Sequence, residues 1–226
     1  MRAMILAAGR GERMRPLSDS VPKPLLAVGG KPMILHHIER LHQAGFEQIV
    51  INLGWLGHLI EAELGNGRQY GVSIRYSHEP EGALETAGGI AFARPLLGGQ
   101  PFLVINSDIW IDYPLERLYE FNPDGDAHLV FVDNPAHHPE GDFAIIEGRA
   151  CLHGQPKFTY SGLGVYRPQL LDDIPDRPWP LRPVLDRAIA ENRISAEHHA
   201  GQWLDIGTPE RLHEAELRFF STSDST

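Results

Sequence analysis

The chain has 226 residues and carries 30 Asp or Glu side chains against 20 Lys or Arg, so its formal net charge is −10. This length predicts a single domain, and a hydrophobic content of 42% excludes a mainly disordered chain. The net negative charge argues against binding to duplex nucleic acid, which requires a basic face. Because Cys151 is the one cysteine, an internal disulfide is excluded.

The sequence also lacks the marks of a membrane or secreted protein. No apolar run approaches the ~20 residues that a membrane span requires. The apolar stretch at the N-terminus is too short for a signal peptide, and arginines follow it where small cleavage-site residues belong. We therefore expect a cytoplasmic protein that binds neither nucleic acid nor membranes.

The charge is unevenly distributed along the chain. Residues 1–31, here called the basic head, hold six Lys or Arg and two Asp or Glu, which gives a local charge of +4. The rest of the chain holds the other 14 basic and 28 acidic side chains. A short cationic segment on an acidic protein predicts a small anionic ligand that is bound locally.

The first half of the chain alternates between strand and helix patterns. Apolar runs predict strands at 1–8, 47–53, 72–76 and 102–106. Helical spacing predicts a helix that starts at Pro32 and stops near Gly45, and further helices at 56–64 and 84–97. This alternation predicts a Rossmann-like α/β fold, with a mixed, mainly parallel sheet flanked by helices.

The second half of the chain does not show this regular alternation of strands and helices. Strands are predicted at 128–132, 143–147, 160–166 and 194–198, and helices at 181–191 and 209–219. The last residues are polar, and we predict a disordered tail over 221–226. Residues 1–220 are expected to form one domain.

A glycine- and proline-rich loop follows the first predicted strand. Gly9 and Gly11 permit positive φ, so successive backbone N–H groups can point at one anion. Arg15 and Lys23 bring positive charge to the same loop, and both side chains suit phosphates. The sequence predicts a phosphate loop here, although glycines of this kind also form plain turns.

Two better-known nucleotide motifs do not fit this loop. A dinucleotide-binding GxGxxG would need glycine at position 14, where the chain has Met14. A P-loop would need GxxxxGK[ST], and the GKP at 30–32 fails that pattern. A nicotinamide-dependent dehydrogenase is therefore disfavoured.

Three segments together resemble the sugar-phosphate nucleotidyltransferases. The sequence LAAGRGERMRPLSDSVPKP at 6–24 is similar to the family signature LxxGxGxRxxPxxxxxPKP, and GKPM follows at 30–33. The run VINSD at 104–108 ends on an aspartate where the family has one. QWLDIGTPE at 202–210 is similar to the family element WxDxGTPE.

This resemblance implies the nucleotide-diphospho-sugar transferase fold and a specific reaction. An oxygen of a sugar-1-phosphate attacks the α-phosphorus of a nucleoside triphosphate, and pyrophosphate leaves. Both substrates are small molecules, and Mg²⁺ is the implied cofactor. By resemblance, Asp108 and Asp205 hold the metal, Arg15 holds the triphosphate, and Lys23 contacts the phosphates at the bond being made.

The resemblance also implies binding residues for the nucleotide and the sugar. Gly82 equally fits a helix-entry turn, Asn106 equally fits a hydrogen bond at a strand end, and Lys157 lacks the family's usual Glu-Lys-Pro context. The implied nucleotide-binding residues are Leu6, Ala7, Ala8, Gly9, Gly11, Glu12, Arg13, Lys23, Glu79 and Gly82. The implied sugar-binding residues are Asn106, Gly141 and Lys157.

The twelve histidines, which include adjacent pairs at 36–37, 137–138 and 198–199, do not predict a zinc site. Adjacent side chains point in different directions on a helix or a strand, and no HExxH occurs.

The substrate identity rests on resemblance within the family. The sequence is similar to the short bacterial members that activate N-acetylmuramate α-1-phosphate with UTP, which serve cell-wall recycling. It also resembles the short members that use mannose-1-phosphate and GTP. A regulatory subunit that binds nucleotide sugars without turnover is a third possibility, against which the two aspartates, Arg15 and Lys23 argue.

Overall fold

The computed structural model describes residues 1–80, 84–175 and 177–223, with side chains described through residue 218. The α-helices are α1 (Met33–Gln43), α2 (Gly57–Leu64), α3 (Glu85–Leu97), α4 (Leu181–Ala190) and α5 (Pro209–Ser223). The strands are β1 (Arg2–Leu6), β2 (Ala27–Val28), β3 (Lys31–Pro32), β4 (Gln48–Leu53), β5 (Ser73–His78), β6 (Phe102–Asn106), β7 (Ile109–Ile111), β8 (Ala127–Val132), β9 (Phe143–Ile146), β10 (Arg149–Cys151), β11 (Lys157–Tyr166), β12 (Ile194–His199) and β13 (Trp203–Asp205).

A nine-stranded mixed sheet organises the chain, in the order β5-β4-β1-β6-β11-β8-β12-β10-β9. The strands β5, β4, β1 and β6 are mutually parallel, and β12 is parallel to β8. The long strand β11 runs antiparallel to both β6 and β8. The predicted α/β class and mixed, helix-flanked sheet are confirmed, with the parallel part concentrated in the first half of the chain.

Helices pack on both faces of this sheet, which explains the continuous apolar runs of its strands. On β1, Ala3 and Ile5 face a cluster that includes α1 and α2 side chains such as Ile38 and Ile60. Met4 points the opposite way, into a cluster with side chains of α3 and α4. Both faces of β1 are therefore buried.

The long predicted elements occur within three residues of their expected bounds, except that the helix predicted at 209–219 ends four residues later, and the short strands β2, β3, β7, β10 and β13 were not predicted. β7 and β13 form a separate two-stranded antiparallel sheet, in which Asp205 pairs with Ile109. β2 and β3 form another. The loop at 9–24 contains 3-10 turns at Glu12–Met14, Leu17–Asp19 and Lys23–Leu25.

The last helix extends beyond the predicted end of the domain. α5 continues to Ser223, past the predicted end of the domain at residue 220, and residues 224–226 lie outside the described part. Within the described residues, no helix is long and apolar enough to span a membrane.

Candidate active site

A cavity of about 530 Å³ opens where β1, β4 and β6 end. These strands are parallel, so their carboxyl ends meet at one edge of the sheet, which is where open α/β sheets bind ligands. The cavity brings together most of the predicted site residues, namely Leu6, Ala7, Ala8, Gly9, Gly11, Glu12, Arg13, Lys23, Glu79, Asn106 and Asp108.

The glycine-rich loop over this cavity is held in place by its own contacts. Gly11 has φ 66°, and a Cβ there would lie 3.2 Å from Lys23 Cβ. Its carbonyl accepts hydrogen bonds from Ser18 Oγ at 2.7 Å and from the backbone N–H of Met14 at 2.8 Å. Met14, which stands where a dinucleotide motif would have glycine, is fully buried. The loop is thus a fixed turn anchored by an apolar side chain.

The loop directs its two neighbouring arginines to different places. Arg13 lines the cavity. Arg15, predicted to hold the triphosphate, pairs with Asp19 at 3.1 Å instead, and its side chain is 49% exposed. Arg15 is absent from the described residues that line the cavity. The structure therefore brings Arg13, and not Arg15, to the site.

Lys23 and Asp108 meet at the floor of the site. Lys23 Nζ lies 2.5 Å from Asp108 Oδ2, and the lysine side chain is only 10% exposed. Asp108 directly follows β6 and Ser107, and its carbonyl accepts from the backbone N–H of Ile206 at 2.8 Å. A buried ammonium and a carboxylate compensate each other's charge.

Asp205 reaches the same site through the pairing of β13 with β7. Its Oδ2 lies 2.5 Å from Arg211 Nη1 and 3.5 Å from His137 Nε2. Gly207 makes room for this pair, because a Cβ there would lie 2.9 Å from Asp205 Oδ1 and 2.8 Å from Arg211 Nη2. The glycine of the DIGTPE segment thus permits the arginine to reach the aspartate.

A second cavity of about 360 Å³ adjoins the first and shares Arg13, Asn106 and Asp108 with it. Asp205 lines this second cavity. Its other polar or aromatic lining residues are His137, His138, Thr159, Tyr160, Ser161 and Trp203. Two spaces that meet at one carboxylate can place two reactants side by side.

Glu79 is part of a hydrogen-bonded chain across the strand ends. Asn52 accepts from the backbone N–H of Ala7 at 2.9 Å and donates to Glu79 Oε1 at 2.7 Å. Glu79 Oε2 accepts from the backbone N–H of Leu84 at 3.1 Å. The carboxylate therefore ties the end of β5 to the start of α3. Gly82, predicted beside it, lies outside the described residues.

The predicted sugar residues lie at or near the second cavity. Asn106 packs against Gly162, where φ is 84° and a Cβ would lie 2.5 Å from the Asn106 amide. Gly141 and Lys157 lie beside each other, with a Cβ on Gly141 only 3.0 Å from the Lys157 backbone. Neither is among the described residues that line the two cavities.

His37 is fully buried on α1, behind Asp108. Burial, reinforced by the nearby Arg40 charge, lowers the pKa of His37 to about 4. His37 is therefore neutral at pH 7 and adds no positive charge behind the carboxylate.

The donor set near the phosphate loop suits Mg²⁺. Asp108 and Asp205 offer hard oxygen ligands, and Mg²⁺ is held by one or two carboxylates together with substrate phosphates and water. Within the described residues, no group of three or more His, Cys, Asp or Glu could hold a metal by itself. Asp108, which both cavities share, and Asp205, which lines the second, fit an ion that completes its shell with substrate oxygens.

Sequence reasoning did not single out four residues of this site. Asn52 could have been identified from the sequence, because it is a polar residue near the end of an apolar strand. Trp203 lies in the matched segment at 202–210, which gave it no stated role, whereas His137 and Arg211 reach Asp205 through contacts that local sequence patterns do not reveal.

Comparisons with known proteins agree with this geometry. N-acetylmuramate alpha-1-phosphate uridylyltransferase of Neisseria meningitidis serogroup B is 53% identical over 224 residues, which cover 96% of this chain and 97% of that protein. The catalytic subunit beta of mannose-1-phosphate guanylyltransferase from Xenopus tropicalis is 33% identical, and the chain spans 62% of its length.

Solved structures share the fold at low identity. A Bacillus anthracis structure that contains sucrose superposes with a TM-score of 0.86 at 21% identity, covering 97% of this chain and 95% of that one. HddC from Yersinia pseudotuberculosis, complexed with GMP-PN, gives 0.79 at 23% identity, covering 96% and 99%. The predicted nucleotide-diphospho-sugar transferase fold is confirmed. The model of the family described as nucleotidyl transferase matches residues 2–152, and the chain belongs to that family of enzymes.

Proposed function

We propose that the protein joins UTP and N-acetylmuramate α-1-phosphate to give UDP-N-acetylmuramate and pyrophosphate. The observation that carries this proposal is the 53% identity to the Neisseria enzyme over nearly the whole of both chains. A Caulobacter vibrioides protein of the same name is 34% identical over 96% of each chain. The guanylyltransferase relatives are matched at lower identity than the Neisseria enzyme and over less of their length.

The reaction sets the demands on the site. An oxygen of the sugar phosphate attacks the α-phosphorus, the bond from that phosphorus to the bridging oxygen breaks, and pyrophosphate leaves with the electron pair. Two anions must be held in line, and the charge that gathers on the leaving group must be neutralised.

The first cavity is proposed to bind the nucleotide. Backbone N–H groups around Gly9 and Gly11 face the phosphates, and Arg13 takes the triphosphate role that the sequence had suggested for Arg15. Lys23 steadies charge at the bond being made. The base and ribose lie toward Glu79, Asn52 and the start of α3.

Asp108 and Asp205 are proposed to hold Mg²⁺, which when bound supplies positive charge to the phosphate oxygens. Lys23 and Arg211 keep the two carboxylates oriented. The second cavity takes the sugar, with Asn106 on its wall and Gly141 and Lys157 near its outer edge. Residues 1–220 act as one domain, and the enzyme works in the cytoplasm in peptidoglycan recycling.

Pyrophosphate release in the presence of Mg²⁺ tests the proposal. Four nucleoside triphosphates are assayed against a panel of sugar-1-phosphates, and we expect the highest kcat/KM for UTP with N-acetylmuramate α-1-phosphate. A higher value for GTP with mannose-1-phosphate would make the guanylyltransferase assignment correct. No release with any pair would indicate a protein that binds nucleotide sugars without turnover.

A further inference from the structure

The proposed sugar carries a second anionic group that the phosphate site does not serve. N-acetylmuramate α-1-phosphate has a carboxylate on the lactyl ether at C3, which N-acetylglucosamine 1-phosphate lacks. Asp108 and Asp205 already place negative charge at one end of the second cavity. A further carboxylate in this space needs a donor that carries or accepts positive charge.

Most cations around the second cavity are already committed to other groups. Lys23 is bound to Asp108, and Arg211 to Asp205. His137 Nε2 lies 3.0 Å from Arg211 Nη1 and 3.5 Å from Asp205. Arg13 stands at the junction with the first cavity, where the triphosphate binds in the proposed function.

His138 differs from these groups in its partner. Its Nε2 lies 3.4 Å from Asp142 Oδ1, at the long end of hydrogen-bond distances, and its side chain is 40% exposed. It lines the second cavity beside Thr159 and Tyr160. Of the two histidines on the described lining of this cavity, His137 lies against Asp205, whereas His138 lies against Asp142, away from the proposed metal-binding carboxylates.

Asp142 does not depend on His138 for charge compensation. Its Oδ2 accepts from the backbone N–H of Tyr160 at 2.9 Å, and its Oδ1 also faces Arg182 Nη1 at 3.4 Å. Arg182 is fixed by a 2.7 Å hydrogen bond to Asp186 and by packing over the Phe143 ring at 4.5 Å. His138 can therefore turn its N–H to a ligand while Arg182 remains on Asp142.

The loop that carries His138 is held against the sheet. Asn134 Nδ2 donates to the carbonyls of Pro139 at 3.0 Å and Lys157 at 2.9 Å, and its Oδ1 accepts from Thr159 Oγ1 at 2.9 Å. Gly141, with φ 62°, packs so closely that a Cβ would lie 2.7 Å from Asn134 Oδ1. A supported loop presents its side chains in a fixed geometry, as a specificity site requires.

We propose that His138 receives the lactyl carboxylate and so selects N-acetylmuramate α-1-phosphate over sugar phosphates without that group. This inference rests on the proposed function, and it adds a specificity residue outside the phosphate and metal machinery.

The test compares two sugar phosphates that differ only in the lactyl ether, with UTP as the nucleotide. For His138→Ala we expect kcat/KM with N-acetylmuramate α-1-phosphate to fall about tenfold or more, as for a lost charge-assisted hydrogen bond. The value with N-acetylglucosamine 1-phosphate should stay within about twofold. His138→Arg should restore part of the preference, and His153→Ala, at an exposed histidine in the turn before β11, should change neither value.

The possible results separate this inference from the function on which it rests. Equal losses on both sugars in His138→Ala, or no loss on either, would overturn the role of His138 while the activity stands. A wild-type enzyme that does not turn over N-acetylmuramate α-1-phosphate would overturn the proposed function and the inference together.

Discussion

Lys23 Nζ lies 2.5 Å from Asp108 Oδ2, although the two residues are 85 positions apart in the chain. Lys23 ends the phosphate loop of the basic head, and Asp108 follows the central strand β6. Their contact joins a cation suited to phosphate with a carboxylate suited to Mg²⁺. The two cavities share Asp108, so this pair stands where the two substrates would react.

Removing either partner should abolish most turnover without unfolding the protein. We expect Lys23→Ala and Asp108→Asn each to lower kcat about 10²-fold or more, as for lost electrostatic stabilisers. Asp108→Asn should also require more Mg²⁺ for half-maximal pyrophosphate release, because a neutral amide is a weaker ligand.

Lys31→Ala is the matched control for this experiment. Lys31 also forms a 2.5 Å pair, with Glu39, but both side chains are more than one-third exposed and lie outside the two cavities as described. It should retain near-normal turnover. Normal activity in Lys23→Ala would remove that lysine from the mechanism.

The two arginines of the loop provide a second test. Arg13 lines both cavities, whereas Arg15 faces solvent and pairs with Asp19. We expect Arg13→Ala to reduce kcat/KM for the nucleotide at least tenfold, and Arg15→Ala to stay within about threefold. Steady-state kinetics with titrated UTP gives both values. The reverse order would mean that the loop rearranges when nucleotide binds and brings Arg15 inward.

Sequence patterns predicted the sheet and the phosphate loop because both depend on local signals. Continuous apolar runs mark β1, β4 and β6, and parallel strands must end at the same edge of a sheet. The glycines and Lys23 marked the loop as a phosphate loop, and the family resemblance then implied Asp108. The position of Arg15 was not predictable in this way, because it depends on a turn around the buried Met14 that leaves Arg13 on the cavity and Arg15 beside Asp19.

The pairing of the short strands could not be predicted from local sequence patterns. β7 and β13 have three residues each, too few for a periodic pattern, yet their pairing sets Asp205 beside Asp108. The same pairing brings Arg211 and His137 to Asp205. These positions depend on tertiary packing, so the resemblance indicated Asp205 while its partners emerged only from the structure.

Gly207 should control the geometry of Asp205. A methyl group there would lie 2.8 Å from Arg211 Nη2 and 2.9 Å from Asp205 Oδ1, so the ion pair must shift. We expect Gly207→Ala to raise the Mg²⁺ concentration needed for half-maximal activity severalfold and to leave the unfolding midpoint within a few degrees. Mn²⁺ binding by electron paramagnetic resonance gives a second readout, independent of turnover.

Gly99→Ala is the control, because Gly99 has no heavy atom within 4 Å of an added Cβ and its φ is not in the positive range. It should match the wild type in both Mg²⁺ dependence and Mn²⁺ binding. Unchanged metal affinity in Gly207→Ala would show that Asp205 tolerates a displaced arginine.

His37 should make the protein less stable in mild acid. Its pKa is about 4 in the folded protein, chiefly through burial, against about 6.5 in an unfolded chain. Below pH 6.5 His37 binds a proton in the unfolded state but stays unprotonated in the folded state. The free energy of unfolding therefore falls as the pH drops from 6.5 toward 4. Above pH 6.5 this histidine contributes no pH dependence. The full loss is on the order of 3 kcal/mol.

Urea unfolding at pH 7.5 and pH 5.0 measures this contribution in matched variants. His37→Leu should lose less stability between the two pH values than the wild type, because leucine does not titrate. The variants are compared by the change between the two pH values, because His37→Leu also removes the hydrogen bond of His37 to the backbone of Ile109 at both. His58→Leu, at an exposed histidine on α2, should keep the wild-type difference. If His37→Leu shows the same loss of stability between pH 7.5 and pH 5.0 as the wild type, groups other than His37 cause the acid sensitivity. The carboxylates paired in the folded state are then the next candidates.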